Sequence, residues 1–368
     1  MTVADVIEPI SVRGHQILQR DIQSRGKYPV VSQSDNAVEG YTNAEIAITD
    51  VPLVLFGDHT CCLKYIQEPF VVGADGVRLL KSKDGDSEFL YYYLATLIPA
   101  VEDGRYRRHY VFLTDLEINM PPKEVRGKIG CVLSSIDRKI ALNRKRIATL
   151  EAMAKEIYDY WFVQFDFPDA HGHPYKSSGG VMVYNPDLKR EIPKGWEVVR
   201  IGDVLDRHIL STNKIPAKAY GQFGAYPIID QSEKFIAGYT DDKNAILDYP
   251  FCTVFGDHSC ELKAVNFPFA RGADGTQIVV SADANVPNVQ LYFALRMMDF
   301  GGGYKRHFVL VKDSLIVKDA IGVAAPRFEK VEKAIFDGIK HCRFENFKLT
   351  GLRDFLLPVL MNGQVNVG

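Results

Sequence analysis

No stretch of this 368-residue chain reaches the roughly 18 consecutive apolar residues that a membrane-spanning helix needs. Its opening, "MTVADVIEPI", lacks the basic segment and apolar core of a signal peptide, so the cytoplasm is the expected compartment. Cysteine is scarce. The six present (Cys61, Cys62, Cys131, Cys252, Cys260, Cys342) form no Cys-x-x-Cys pair and no disulfide spacing, which reads as reduced, mostly buried thiols. An excess of one charge is also missing: 44 basic against 46 acidic residues leave a net −2, so any surface that attracts a polyanion must be local. Catalytic signatures are absent. There is no GxxxxGK[ST] loop for nucleotide phosphates, and no glycine-rich cofactor loop paired with an Asn/Asp-Pro-Pro-aromatic motif; "NMPP" (119–122) is not one. "PDLKREIPK" (186–194) imitates a nuclease acid–lysine pattern, but its spacing is wrong and it lies in a linker. A non-enzymatic chain, with no metal or cofactor of its own, is the expectation.

What the chain does have is a repeat. "FGDHTCCLK" at Phe56 returns as "FGDHSCELK" at Phe255. Across 56–76 against 255–275, 13 of 21 residues are identical, "GADG" included. Tyr28 to Thr42 matches Tyr226 to Thr240 at 7 of 15, and "YRRHYVFLTD" from Tyr106 matches "YKRHFVLVKD" from Tyr304 at 5 of 10. The offsets stay at 198 or 199, so order and spacing are collinear. A period this long means two copies of a domain rather than a solenoid. Within each copy "YPVV"/"YPII" and "PLVLFG"/"PFCTVFG" read as strands, and 87–98 and 289–298 have helical periodicity.

Each copy is followed by a heptad seam. In the first, Ile129, Leu133, Ile136, Ile140, Ile147, Leu150, Ala154, Ile157 and Trp161 alternate steps of four and three, with Asn143 the polar member. In the second, the same alternation picks Phe328, Val331, Ile335, Gly338, Cys342, Glu345, Leu349, Leu352, Leu356 and Val359, with Pro358 ending or kinking the helix. A helix over 129–161 would be roughly 50 Å long, and two such helices would pair antiparallel to bury both seams. The expected architecture is α/β (α+β): domains at 1–121 and 192–325, long helices at 122–163 and 326–362, and a Pro/Gly/Ser-rich linker at 164–191. Pseudo-twofold symmetry would place the domains apart on a rigid pair of helices.

Domain–helix–domain–helix order, "PPKE" (121–124) and "PRFE" (326–329) at the helix starts, and the tail "GLRDFLLPVLMNGQV" (351–365) resemble the specificity subunits of type I restriction–modification systems (HsdS). "LEAMAKEIYDYWFVQFD" (150–166) and "IPKGWEVVRIGDVL" (192–205) fit the same family. The first copy departs from it in lacking the "GW" opening, and the first helix in lacking the "LLPxLMNG" ending. The resemblance implies two target recognition domains reading a bipartite site in double-stranded DNA. It implies helices that set the spacing and dock two modification (methyltransferase) subunits, with two restriction (endonuclease/translocase) subunits as optional additions. S-adenosylmethionine and ATP with magnesium would belong to those partners. A helix of ~50 Å corresponds to about one and a half turns of B-DNA, hence a fixed unread gap. Matching loops in the two domains imply related half-sites in inverted orientation.

The repeated phrase offers Asp58, His59, Cys61 and Cys62, or Asp257, His258 and Cys260, too few in the wrong spacing for a structural zinc site. Framework is the preferred reading, with a turn at Gly57 and Gly256; the other is that His59, Lys64, His258 and Lys263 touch DNA from that turn. The third block is the better DNA candidate: Arg105, Tyr106, Arg107, Arg108 and His109, against Tyr304, Lys305, Arg306 and His307. Arginine offers a planar fork to guanine or phosphate, and tyrosine a hydroxyl to phosphate. Gln33 and Ser34, with Gln231 and Ser232, supply the amide type that suits adenine, although a glutamine bonding within a turn is an equal alternative. Arg271, Lys234 and Lys243 are further phosphate candidates. Over 123–156 the first helix carries nine cations against four anions, a net +5 that fits a solvated face or a field along DNA. Two rivals remain: a protein–protein scaffold with duplicated domains and no DNA role, and an enzyme with two metal sites.

Overall fold

Leu53–Gly57 brings the repeated phrase into the first half of the protein as a strand in which all five residues are buried. A short continuous apolar run of this kind marks a strand covered on both faces. In the computed structural model, which describes residues 1–73, 76–101, 108–208, 213–301 and 306–364, it lies in an antiparallel sheet. The order is Ile7–Ile10, Val77–Ser82, Leu53–Gly57, Leu63–Ile66. Its counterpart, Cys252–Gly256, is equally buried between Leu262–Val265 and Thr276–Val279. The registers coincide: Phe56 stands opposite Leu63 and Arg78, and Phe255 opposite Leu262 and Gln277.

A second small sheet recurs as well. Tyr28–Val31 pairs antiparallel with Gly40–Thr42 and parallel with Val71–Val72; Tyr226–Ile229 does the same with Gly238–Thr240 and Phe269–Arg271. Helix Ser87–Val101 packs Phe89, Leu90 and Leu94 onto Val54 and Phe56. Helix Asn288–Arg296 packs Leu291 and Leu295 onto Phe255 and Val279. The mixed α/β reading and the duplication hold at the level of strands, register and core.

The chain divides into two compact units, Met1–Leu142 with Glu345–Gly368, and Asn143–Phe344. Both long helices, Lys123–Tyr158 and Ala324–Met361, contribute to each. In the first unit Arg353 pairs with Asp137 at 2.8 Å, Lys139 with Glu345 at 3.2 Å, and Leu360 and Met361 share a core with Ile129 and Leu133. In the second, Arg343 reaches Glu151 at 3.5 Å, and Phe328 stacks edge-on to Phe162 at 4.8 Å. Within each unit higher numbers on one helix meet lower numbers on the other, so the helices run antiparallel there. Among the described residues no helix is long and apolar enough to cross a membrane.

The first seam is as expected: Ile129, Leu133, Ile136, Ile140 and Trp161 are buried, and Ile147, Leu150 and Ile157 pack against the core. The second is corrected. Val331 is 41% exposed and Leu352 47%. From Phe328 the buried stripe steps by four to Glu332, then runs through Ile335, Ile339 and Cys342, while Leu349 is half-buried and Leu356 packs on the first unit's core. Arg353 replaces Leu352 on the paired face, where it meets Asp137, and Asn346 joins Glu345 there, donating to the Ile140 carbonyl at 3.4 Å. The strict four-three alternation took Val331 and Leu352, each beside a polar residue, Glu332 or Arg353, that the fold buries or pairs in its place.

The ends of the helices explain the other quoted segments. Pro326 lies in the first turn of the second helix, where its missing N–H has no intrahelical partner to lose. Asp319 caps that turn, accepting from the Ala324 and Ala325 N–H groups at 2.6 and 2.9 Å. At the end of the first helix, Asp159–Val163 forms one π-helical turn. Beyond it Trp196, of "PKGW", is buried among Phe162, Phe165 and Phe167 at ring distances of 5.1–5.7 Å. Gly195, at φ +88°, makes the turn that brings it there.

Candidate nucleic-acid interface

The strand Leu53–Gly57 ends where Asp58 leaves the sheet, and this aspartate fastens three segments together. Its N–H donates to the Gly76 carbonyl at 2.7 Å, and its carbonyl accepts from the His109 N–H at 2.8 Å. One carboxylate oxygen accepts from the Tyr110 N–H at 2.9 Å and the other from the Arg78 guanidinium at 3.0 Å. Asp257 repeats the pattern: N–H to the Gly275 carbonyl at 2.7 Å, carbonyl to the His307 N–H at 3.0 Å, and carboxylate to the Phe308 N–H at 2.8 Å. Both aspartates are buried. An ionised carboxylate facing backbone N–H groups makes a strong, charge-assisted bond, here at the start of the short helices Tyr110–Asp115 and Phe308–Asp313. The "GDH" phrase therefore holds His109–Tyr110 and His307–Phe308 against Gly76 and Gly275.

Gln33 and Gln231 lock the same junction. Their side-chain oxygens accept from the His59 and His258 N–H groups at 3.2 and 3.3 Å, and Thr60 and Ser259 hydroxyls donate to their carbonyls at 2.7 Å. The Gln231 amide donates to the Asp274 carbonyl at 2.8 Å. A Cβ on Gly275, already at φ +80°, would stand 2.5 Å from that amide, so only glycine fits. Cys61 and Cys260 close the turn with left-handed φ of 53° and 58°. Among the described residues no cluster of His, Cys, Asp and Glu is arranged to hold a metal ion.

Several residues expected to face DNA are interior instead. Lys64 donates to the carbonyls of Ser32, at 2.9 Å, and Asn36; Lys263, buried, donates to those of Asp230, at 2.8 Å, and Lys234. A lysine hidden from water must give its donors to carbonyls, and burial pulls the Lys263 ammonium below the usual lysine range. Arg271 is buried with its guanidinium on the Thr276 carbonyl at 2.9 Å and on Gln277 at 3.2 Å. His109 is buried with Nδ1 3.2 Å from the Val101 carbonyl, and buried His307 packs edge-on to Phe300. The histidines of the third block thus face the interior. His59 and His258 are half-buried. Ser34 donates to Glu39, whose carboxyl it holds below the usual range, and Ser232 donates to Asp230 at 2.6 Å.

What remains at the surface is a smaller set. Arg108 and Arg306, one residue before the fastened histidines, are exposed at matching places in the two halves, and Ser232, Lys234 and Lys243 are exposed in the second. Arg105, Tyr106, Arg107, Tyr304 and Lys305 lie outside the described residues. One residue was missed: Arg78, half-buried, stacks over the Tyr110 ring at 5.3 Å while bound to Asp58. Its place opposite Phe56 carried a signal, since the second half has Gln277 there.

Residues 1–152 match the type I restriction modification DNA specificity domain. The chain is 36% identical over 138 residues to the type I restriction enzyme MjaIX specificity subunit of Methanocaldococcus jannaschii, a match covering 35% of this chain and 30% of that protein. It is 24% identical over 153 residues to the EcoR124I/EcoR124II specificity subunit of Escherichia coli, covering 39% and 38%. These alignments span about a third of the relatives' length. A crystal structure of a type I restriction–modification S subunit from M. genitalium superposes with a TM-score of 0.61 at 16% identity, covering 98% of this chain and 95% of that one, which shows a shared fold. Residues 1–152 thus carry a type I restriction modification DNA specificity domain, and the chain shares the fold of a type I S subunit.

Proposed function

We propose that this chain reads DNA sequence for a type I restriction–modification complex. Each domain contacts one half of a bipartite target in double-stranded DNA. The two long helices fix the spacing and dock two modification subunits, which carry the S-adenosylmethionine; restriction subunits with ATP and magnesium join where cleavage occurs. The chain itself performs no chemistry. The observation that carries this reading is the pair Arg108 and Arg306, exposed at the same place in both halves beside an aspartate-fastened turn. A guanidinium held on a rigid mount contributes phosphate affinity that carries no sequence information and sets the register for neighbouring side chains that do.

Changing Arg108 and Arg306 together to alanine should lower DNA affinity about tenfold or more and reduce the slope of log affinity against log salt by about two. Fluorescence anisotropy across a salt series measures both, and an unchanged slope would refute the assignment. Mapping the modified motif in a host carrying this protein and its partner subunits tests the bipartite target. Two related half-sites in inverted orientation, separated by unread bases, are expected; a single contiguous site would overturn the reading.

A further inference from the structure

Phe223 is the most exposed large apolar side chain among the described residues, 89% accessible. One exposed apolar residue alone would mean little; this one is held in place. Gly221 and Tyr239 exchange backbone hydrogen bonds, both 2.9 Å, on one side of it. On the other, the Ala225 N–H donates to Asp241 at 2.8 Å, and Gly224 lies so close to the Thr240 backbone that a Cβ would be 2.9 Å from its nitrogen. The Tyr220 hydroxyl ties the base of the loop to the "GADG" turn, accepting from the Ala273 N–H at 2.9 Å and donating to Asp230 at 3.2 Å. The loop is therefore a fixed projection with a phenyl ring at its tip.

The first half builds the same projection. Gln23 and Tyr41 exchange backbone bonds at 2.8 Å, the Lys27 N–H donates to Asn43 at 3.0 Å, and Gly26 abuts Thr42. Its tip residue, 198 positions before Phe223, is exposed Arg25. One short 3-10 turn before the tip, both halves also present an exposed cation, Arg20 in Gln19–Asp21 and Lys218 in Ala217–Ala219.

We infer that this loop enters a DNA groove in each half-site, Arg25 as a cation in an electronegative minor groove and Phe223 as an apolar wedge leaning into a base step. The inference rests on the DNA-reading function proposed above. Arginine and phenylalanine look unlike each other as protein-contact residues, but they are the two side-chain types that groove insertion uses, one for the potential and one for unstacking. The paired cations at 20 and 218 supply phosphate anchors on either tip's flank.

The test uses the full chain with its methyltransferase partners and a duplex bearing the mapped motif, with 2-aminopurine placed in turn along the second half-site. Binding of the wild type should raise the fluorescence at one step, and Phe223→Ala should abolish the rise and weaken binding roughly ten- to hundredfold. Phe223→Trp should restore both. Arg25→Ala should reduce the salt slope by about one without altering the fluorescence. The side chain is exposed, so the thermal midpoint should not move. If the wild type binds no duplex, the DNA-reading function fails; if it binds and Phe223→Ala matches it in affinity and fluorescence, the wedge alone fails. Loss of methyltransferase co-purification with DNA contacts intact would make the loop a protein interface and overturn the inference.

Discussion

Replacing Glu332 by leucine should stabilise the second unit, and the gain should grow as pH rises. Glu332 is fully buried in the second long helix, and among the described residues neither carboxylate oxygen has a hydrogen-bond partner. Burial alone pushes its carboxyl up from 4.5 to about 8. The folded state then holds a proton that the unfolded state releases, so stability falls as pH rises between about 4.5 and 8 and levels off above. The slope in that window is about 1.4 kcal/mol per pH unit, and the full penalty above pH 8 is roughly 5 kcal/mol. Leucine removes both the slope and the cost of hiding a polar group in an apolar seam. Glutamine should remove the slope but retain part of that cost. Both tryptophans, Trp161 and Trp196, lie in this unit, so denaturant unfolding followed by their fluorescence reports on it selectively. A wild type and Glu332→Leu pair with parallel pH dependence from 5 to 9 would sink the assignment.

Phe328→Ala should cost the same unit about 3–5 kcal/mol. Phe328 is fully buried where the two long helices meet the start of the second domain. It lies 4.8 Å from Phe162, 5.6 Å from Trp161 and 6.5 Å from Tyr158, ring centre to ring centre. Removing the ring opens a cavity in a cluster of rigid aromatics that cannot collapse to fill it. Phe328→Leu should recover most of the loss, since it restores volume without the edge-on stacking. The readout is again tryptophan fluorescence, which should also show a red-shifted native emission in the alanine variant as water reaches Trp161. A loss below 1 kcal/mol would mean that the helix junction does not depend on this contact.

These two residues also show how far linear pattern carries. The duplication, the buried strands Leu53–Gly57 and Cys252–Gly256, and the first heptad seam were legible because each is a local signal: identity at a constant offset, a short apolar run, a four-three alternation of large apolar residues. The second helix was legible as a helix, but its buried face was not. Two stripes leave Phe328, one through Val331 and one through Glu332, and hydrophobicity favours the first. The partner helix places the second inside, leaving Val331 and Leu352 in water.

The candidate interface divides in the same way. That the third block is basic and repeated is a property of the chain, whereas which of its residues face outward is not. His109, His307, Lys263 and Arg271 have the chemistry of DNA contacts, yet the carbonyls and packing around them come from segments distant in sequence and turn them into internal fasteners. Asp58 and Asp257 stood out in the sequence only as members of too sparse a metal set; the N–H groups of Tyr110 and Phe308, 52 and 51 positions later, make them fasteners. Alone, then, the sequence determined that one fold would be built twice and followed each time by a long amphipathic helix, because propensity and periodicity act over neighbouring residues. The roles of its polar side chains were decided only by tertiary structure, because a polar group is inward or outward according to the partners that the rest of the chain brings to it.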